Sequence, residues 1–187
     1  MNFLIDVKNI MMKKINLIVV DCQYDFINPE GELYVKGAEH AVNNIYKIFR
    51  TFEVESVIFT ADWHPITHCS FNRNDGIWPI HCLQHSMGAS IDEELLYCCI
   101  ADNIPYKIIT KGSNPSKEEY GAFSNFEGIE YLKTLNNLMI CGVAGDFCVL
   151  ETIKNLVKNN IKPEIFLDGI ASIDGGTKLC KYISENL

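Results

Sequence analysis

The sequence lacks any apolar run that approaches the ~20 residues of a membrane span. Its opening segment MNFLIDVKNIMMKKINLIVV has neither the long apolar core nor the small-residue cleavage site of a secretory signal. Basic residues are also few: 16 Lys and Arg stand against 24 Asp and Glu, for a formal net charge of -8. Nucleic-acid binding depends on clustered Lys and Arg. These absences argue against a membrane or nucleic-acid partner and predict a cytoplasmic protein.

Cysteine, in contrast, is plentiful, with eight residues in the chain. Because the sequence shows no export signal, we interpret them as reduced thiols rather than as a disulfide framework. Cysteine is also among the most frequently buried residue types. We therefore predict that four of them pack in the core: Cys98, Cys99, Cys141 and Cys180.

Five short apolar runs organise the chain, at residues 17–20, 57–59, 108–109, 138–140 and 165–167. They show no polar alternation, as expected for parallel strands buried on both faces. Apolar residues repeat at three- and four-residue steps over 38–52 and again from Val149, which is typical of amphipathic helices. Residues 63–105 are rich in turn formers and poorly periodic. The pattern predicts a single-domain α/β protein over residues 1–187, with helices on both faces of a parallel sheet and a loosely ordered extension at residues 1–14.

Reactive side chains follow four of the five runs. Asp21 follows the first, Asp62 and His64 the second, and Lys111 the third, while Cys148 follows the fourth after a turn. The carboxyl ends of parallel strands lie at the same edge of a sheet, which is where open α/β sheets bind ligands. The sequence therefore predicts that these side chains share one site.

The stretch TADWHPITHCSF contains a candidate metal site. Side chains two apart in an extended segment point the same way, so Asp62 and His64 could share one ion, with His81 as a third ligand. Three protein ligands would leave coordination positions open, which suits Zn²⁺, Fe²⁺ or Mn²⁺. The alternative is that Asp62 caps a turn and that the histidines are solvated.

The stretch GVAGDFCVLETIKNL contains a candidate nucleophile. Cys148 lies at the start of a helical pattern, where free backbone N–H groups and the helix dipole would stabilise a thiolate and lower the pKa of the thiol. A base would then come from Asp21 or Lys111 at neighbouring strand ends. The alternative is a small buried cysteine that packs the beginning of the helix.

Six strings now carry a resemblance: VDCQYDF, GELYVKGA, TADWHPITHCSF, WPIHCLQHSMGA, KGSNPSKEEYGAF and CGVAGDFCV, in this order over residues 20 to 149. Together they resemble the nicotinamidase branch of the isochorismatase-like, or cysteine hydrolase, superfamily. The resemblance implies the isochorismatase-like fold and the following site: a catalytic triad of Asp21, Lys111 and Cys148, and metal ligands Asp62, His64 and His81. It further implies a cis peptide between Val143 and Ala144, an oxyanion hole from the N–H groups of Ala144 and Cys148, and a ring pocket of Phe26, Trp78 and Tyr120. His68 matches a ligand of only some members and is left out of the metal shell.

The activity that the resemblance implies is metal-dependent hydrolysis of nicotinamide to nicotinic acid and ammonia through a thioester, within NAD salvage. Zn²⁺ is the first choice of metal, with Fe²⁺ or Mn²⁺ as alternatives. Other amide hydrolysis, of pyrazinamide or a carbamoyl amide, and non-catalytic metal binding stay open, as does assembly into a homo-oligomer. The sequence departs from the family at Gly145, where threonine is common, and at Gly121, where serine is common.

Overall fold

Five parallel strands form the centre of the protein in a computed structural model that describes residues 12–124 and 126–187. The strands are β1 (Lys14–Val20), β2 (Glu53–Asp62), β3 (Tyr106–Lys111), β4 (Leu138–Gly142) and β5 (Glu164–Ile170). Their order in the sheet is β3-β2-β1-β4-β5, and every neighbouring pair is parallel. All five predicted runs lie within these strands, and the predicted α/β class is confirmed.

In the part of the chain that the structure describes, six helices accompany the strands: α1 (Tyr24–Ile27), α2 (Ala38–Thr51), α3 (Glu93–Ala101), α4 (Phe126–Lys133), α5 (Leu150–Lys158) and α6 (Thr177–Asn186). Single 3₁₀ turns occur at Asn72–Asn74 and Met87–Ala89, and a π-helical turn at Gly145–Val149 leads into α5. Both predicted helices are present as α2 and α5. Within the described residues, no helix is long and apolar enough to cross a membrane.

Alternate side chains of the central strands fill two cores, one on each face of the sheet. Leu17 and Val19 of β1 pack with residues of α2 and α3, whereas Ile18 and Val20 pack with residues of α4, α5 and α6. All four side chains are fully buried. Because burying such a side chain contributes about 1.5–3 kcal/mol, β1 is a main source of stability and a fixed base for the residues that follow it.

The edge strands differ from the prediction of strands buried on both faces. Ile108 of β3 is 48% exposed and Leu167 of β5 is 51% exposed. Both strands have a neighbour on one side only, and the flanking helices cover the centre of the sheet more completely than its margins. The apolar runs therefore predicted both edge strands correctly, but the prediction that these strands are buried on both faces was wrong.

The cysteine prediction is partly wrong. Cys99 and Cys141 are fully buried, whereas Cys98 is only half-buried and Cys180 is exposed on α6. Cys98 lies in α3 and Cys180 in α6, and neither side chain belongs to the buried residues of its helix, which are Leu95 and Cys99 in α3 and Leu179 in α6. All eight cysteines are free thiols.

Two further differences concern the chain before and between the strands. Helix α3 lies inside the segment 63–105 that showed little periodicity. The expectation of a loose extension at residues 1–14 falls mostly on residues 1–11, outside the described part of the chain. Within the described residues, Lys14 is already the first residue of β1 and pairs in register with Glu53.

The strand order determines where a site can form. The chain runs outward from β1 through β2 and β3 on one side, and through β4 and β5 on the other. Loops that leave β1 and β4 consequently diverge, and this opens a crevice at the carboxyl ends of the strands. The residues predicted to be reactive lie around that crevice.

Candidate active site

Lys111 lies at the centre of a buried charged cluster. Its Nζ atom lies 2.7 Å from Oδ2 of Asp21, 2.5 Å from Oδ1 of Asp62 and 3.6 Å from Sγ of Cys148. Lys111, Asp62 and Cys148 are each no more than 6% exposed, and Asp21 is fully buried. Burial alone would lower the pKa of Lys111, but the surrounding acidic groups outweigh it and raise that pKa well above its ordinary value. The ammonium is therefore charged.

Asp21 directly follows β1 and turns the chain out of the strand with a positive φ of 48°. Its Oδ1 accepts a 2.6 Å hydrogen bond from the hydroxyl of Thr60, and its backbone N–H donates to the carbonyl oxygen of Thr60. Its Oδ2 faces Lys111 and accepts no other hydrogen bond among the described residues. Burial raises the pKa of Asp21, although Lys111 opposes this rise. This carboxylate is thus held firmly and has one oxygen free to take a proton.

Cys148 lies in the π-helical turn Gly145–Val149, with its Sγ within 4.8 Å of carboxylate oxygens of Asp21 and Asp62. The Val143–Ala144 peptide before this turn is cis, as the resemblance implied. At the end of β4, Gly142 has a φ of 118°, and a Cβ there would lie 2.1 Å from the carbonyl oxygen of Val20. Only glycine lets the chain turn so close to β1 and carry the cysteine into the crevice.

The expected low pKa of the Cys148 thiol is not found. Burial raises this pKa well above its ordinary value, and Lys111 opposes the rise only in part. The expectation relied on a helix start, but the thiol lies in a fully desolvated position beside two carboxylates. The thiol is therefore protonated at rest and needs a base when it reacts.

Asp62, His64 and His81 each offer a ligand atom, and these atoms lie within 4.8 Å of one another. Nδ1 of His64 lies 2.9 Å from the carbonyl oxygen of Gly112, and Nδ1 of His81 lies 2.8 Å from that of Pro79. A carbonyl only accepts, so each Nδ1 carries a proton and Nε2 is the ring nitrogen left to bind a metal. Burial lowers the pKa of His81, which favours the neutral ring. The three side chains together could hold a metal ion.

His68 differs from these two histidines although its ring centroid is only 4.1 Å from that of His64. Its Nδ1 lies 2.7 Å from the hydroxyl of Ser70, and its Nε2 lies 3.1 Å from the carbonyl oxygen of Lys117. Both ring nitrogens therefore have protein partners. The geometry agrees with leaving His68 out of the metal group.

A narrow cavity lies beside the thiol and the metal group. Trp78 donates a 3.0 Å hydrogen bond from Nε1 to the hydroxyl of Tyr120, and both rings contact Phe147. Apolar and aromatic side chains dominate the lining, which consists of Phe26, Leu33, Val35, Asp62, Trp78, His81, Glu118, Tyr120, Ala144, Phe147, Cys148 and Ile173. Such a narrow aromatic slot fits a flat ring.

The structure brings every residue proposed from the sequence into this region: the three charged or nucleophilic residues, the three metal candidates, Ala144, and the aromatic residues. Sequence reasoning missed Thr60, Phe147 and the half-buried Glu118. Thr60 lies at the end of an apolar run and Phe147 lies next to Cys148, so position alone could have suggested these two.

Gln23 and Asp25 were also missed. The Gln23 side chain bonds to both the backbone N–H and the carbonyl oxygen of Asp62, and the Asp25 carboxylate accepts from the backbone N–H of Cys82. Both lie in the string VDCQYDF. The one sequence feature that could have suggested them is the spacing of polar residues by two positions after an apolar run.

The two glycine departures have a structural reason. A Cβ at Gly145 would lie 2.1 Å from Oγ of Ser172, and a Cβ at Gly121 would lie 2.8 Å from the backbone carbonyl oxygen of Glu151 in α5. At both positions a neighbouring segment occupies the space of a side chain. Neither glycine replaces a group of the charged cluster.

Comparison with known proteins gives consistent matches over most of the chain. A family model described as the isochorismatase domain matches residues 16–178. A nicotinamidase of Acinetobacter baylyi is 30% identical over 87% of this chain and 85% of that protein. The structure of PnC1 from L. infantum in complex with nicotinate has a TM-score of 0.78 and 31% identity, covering 94% of this chain and 88% of that one. The structure of a pyrazinamidase of Pyrococcus horikoshii in complex with zinc has a TM-score of 0.77 and 28% identity, covering 92% and 95%.

Proposed function

The chain belongs to the isochorismatase domain family, and from this premise we propose that it hydrolyses nicotinamide to nicotinic acid and ammonia. One observation carries the proposal: a thiol, a lysine and a carboxylate meet at the base of an aromatic cavity, with Lys111 2.7 Å from Asp21 and 3.6 Å from Cys148. Asp62 and His81 of the metal-ligand group line the same cavity. The curated relatives that match most of the chain are nicotinamidases.

The first chemical step forms a thioester. Oδ2 of Asp21 takes the thiol proton of Cys148 while Sγ attacks the carboxamide carbon, and Lys111 stabilises the negative charge that passes between them. The N–H groups of Ala144 and Cys148 would donate to the oxyanion. The protonated Asp21 then gives its proton to the leaving nitrogen, the C–N bond breaks, and ammonia departs.

The second step restores the enzyme. A water molecule attacks the thioester carbon, and Asp21 takes a proton from it as a general base. The C–S bond breaks, the carboxylic acid leaves, and the thiol regains its proton. The raised pKa of Asp21 supports this shuttle, because it makes the carboxylate a stronger base toward the thiol proton of Cys148.

The metal group fits a divalent ion, and we propose Zn²⁺, with Fe²⁺ or Mn²⁺ as alternatives. Two imidazole nitrogens and one carboxylate oxygen form a donor set common for these ions, and the hydrogen bonds to Gly112 and Pro79 give both histidines the tautomer that binds through Nε2. When bound, the ion would accept the ring nitrogen of the substrate and so fix the amide above the thiol. Phe26, Trp78 and Tyr120 would hold the ring between them.

The proposed role is tested by measuring ammonia and nicotinic acid released by the purified protein with nicotinamide. Pyrazinamide and an N-carbamoyl amino acid, assayed in parallel, separate the pyridine-type substrates from the carbamoyl amides. We expect turnover of nicotinamide well above that of the carbamoyl compound. Absence of nicotinic acid with metal-loaded protein would contradict the proposal. That the chain forms a single domain and that it acts in the cytoplasm both stay predictions.

A further inference from the structure

Three side chains alternate along the segment that follows β1. Asp21 and Gln23 are fully buried, and Asp25 is 5% exposed. The segment is not extended, since Asp21 has a φ of 48° and Asp25 lies in α1, but the hydrogen bonds of all three side chains are made to residues around the site. Asp21 belongs to the charged cluster, whereas Gln23 and Asp25 touch neither the thiol nor the lysine and have no role in the proposed chemistry.

Gln23 binds the backbone of Asp62 at two points. Its Oε1 accepts a 2.7 Å hydrogen bond from the N–H of Asp62, and its Nε2 donates to the carbonyl oxygen of Asp62 at 2.8 Å. The second hydrogen of Nε2 is donated to the carbonyl oxygen of Ala89 at 2.9 Å. Strand β1 ends at Val20, so the Gln23 amide takes over the pairing that a strand backbone would provide to the last residue of β2.

Asp25 fixes a different segment. Its Oδ2 accepts a 2.7 Å hydrogen bond from the backbone N–H of Cys82, and its Oδ1 accepts one of 3.2 Å from the N–H of Glu32. Gly88 closes the space around this carboxylate, because a Cβ there would lie 2.1 Å from Oδ2. The loop that carries His81 is thereby attached to the segment after β1.

We propose that Gln23 and Asp25 are positioning residues for the metal site: Gln23 orients Asp62, and Asp25 orients His81. Both act through backbone groups, so each fixes the direction in which a ligand side chain leaves the chain. The inference rests on the proposed metal site and deepens it.

The test is the affinity for Zn²⁺ alone, measured without substrate by competition with a chromophoric chelator. Mutation of a residue that hydrogen-bonds to a metal ligand and orients it typically weakens metal binding by about 10- to 100-fold. We expect a loss in this range for Gln23→Met, which keeps the length of the side chain and removes all three hydrogen bonds. We expect a similar loss for Asp25→Asn, which is isosteric but leaves one backbone N–H without an acceptor.

The matched control is Asn16, a buried amide at the opposite end of β1. It donates to the carbonyl oxygen of Asn136 at 2.8 Å and accepts from Ser56 at 2.6 Å. Asn16→Leu should lower Tm as Gln23→Met does, yet leave the Kd for Zn²⁺ within about twofold of wild type, since these contacts lie far from the ligands. A purely structural role of Gln23 would make the two variants alike.

The outcomes separate the two proposals. Tight Zn²⁺ binding by wild type together with unchanged Kd in Gln23→Met and Asp25→Asn would overturn the positioning role and leave the proposed function intact. Failure of wild type to bind Zn²⁺, Fe²⁺ or Mn²⁺ would overturn the metal site and the positioning role together. If Gln23→Met does not fold, Asp25→Asn decides alone, because it changes no side-chain volume.

Discussion

Asp62 and Lys111 are register partners at the last paired position of β2 and β3, and Nζ of Lys111 lies 2.5 Å from Oδ1 of Asp62. The other oxygen of the same carboxylate, Oδ2, lies 3.5 Å from Nε2 of His64. Asp62 therefore belongs to the charged cluster and to the metal group at once. Burial would raise the pKa of Asp62, but Lys111 and His64 outweigh it, so that pKa lies well below its usual range and the group is ionised.

Replacing Cys148 by alanine should abolish ammonia release, because Cys148 supplies the thiol that lies 3.6 Å from Nζ of Lys111 at the cavity. The measurement is kcat with nicotinamide, together with mass spectrometry of the acyl-enzyme in wild type. Cys141→Ala is the control: Cys141 is fully buried in β4, and its loss should lower the free energy of unfolding by about 1 kcal/mol while kcat is kept. Retention of a tenth of wild-type kcat in Cys148→Ala would rule out the covalent route.

Asp21→Asn keeps the shape of the side chain but removes the base. We expect kcat to fall by about 10²–10⁴-fold, the usual contribution of a positioned acid–base group. In wild type the base is the ionised carboxylate, and its pKa is raised, so kcat/KM should fall as the pH drops through a value above that of an ordinary aspartate, about 3.9. This acid limb should disappear from the residual activity of Asp21→Asn. An unchanged limb would assign the ionisation to another group.

Lys111→Met should leave Asp21 and Asp62 as two buried carboxylates without their shared cation. Removing one partner of a buried ion pair costs about 3–5 kcal/mol, so Tm at pH 7 should fall strongly. Without the lysine, the pKa values of both carboxylates in the folded protein rise above their unfolded values, and stability should recover as the pH falls and they take up protons. Lys107→Met, an exposed change in the same strand, should alter stability by no more than about 1 kcal/mol. Equal Tm for both variants would contradict the buried cluster.

Removal of the metal should abolish hydrolysis and cost little thermal stability, because the sheet core does not include the metal group. A structural zinc behaves differently, since its loss unfolds the domain. Benzamide has the ring and the amide but no ring nitrogen, so its kcat/KM should be far below that of nicotinamide with metal-loaded protein. Similar kcat/KM for both amides, or full activity after verified removal of metal, would disprove the proposed orienting role.

The fold could be predicted where the deciding signal is local. The runs that became β1 and β4 are apolar without interruption because both faces of the sheet are covered there, and α2 has a clear amphipathic stripe. Helix α3 was missed because its pattern is blurred: Leu95 and Cys99 are fully buried, but Tyr97 and Ile100 on the same helix are 67% and 63% exposed. Which strands would be edges depends on the sheet order, and no local pattern reports that order.

The same distinction holds for the site. The positions of Asp21, Lys111 and Cys148 just after apolar runs could be recognised in the sequence, and the structure places these residues together. The contact between Lys111 and Asp62 could not be predicted from the sequence, because it depends on the register of β2 against β3. The raised pKa of the Cys148 thiol was also not readable, because it follows from desolvation by residues distant in the sequence.

The packing of Ser172 against Gly145 has a consequence for how this sequence can change over evolutionary time. The hydroxyl of Ser172 lies where a side chain at position 145 would begin, and Gly145 also donates its N–H to the carbonyl oxygen of Ala171 at 2.8 Å. A threonine at 145 would thus be accepted only after the loop beyond β5 had given up its serine or moved. The two positions are epistatic: each restricts what the other can become, and the order of substitutions along a lineage is constrained.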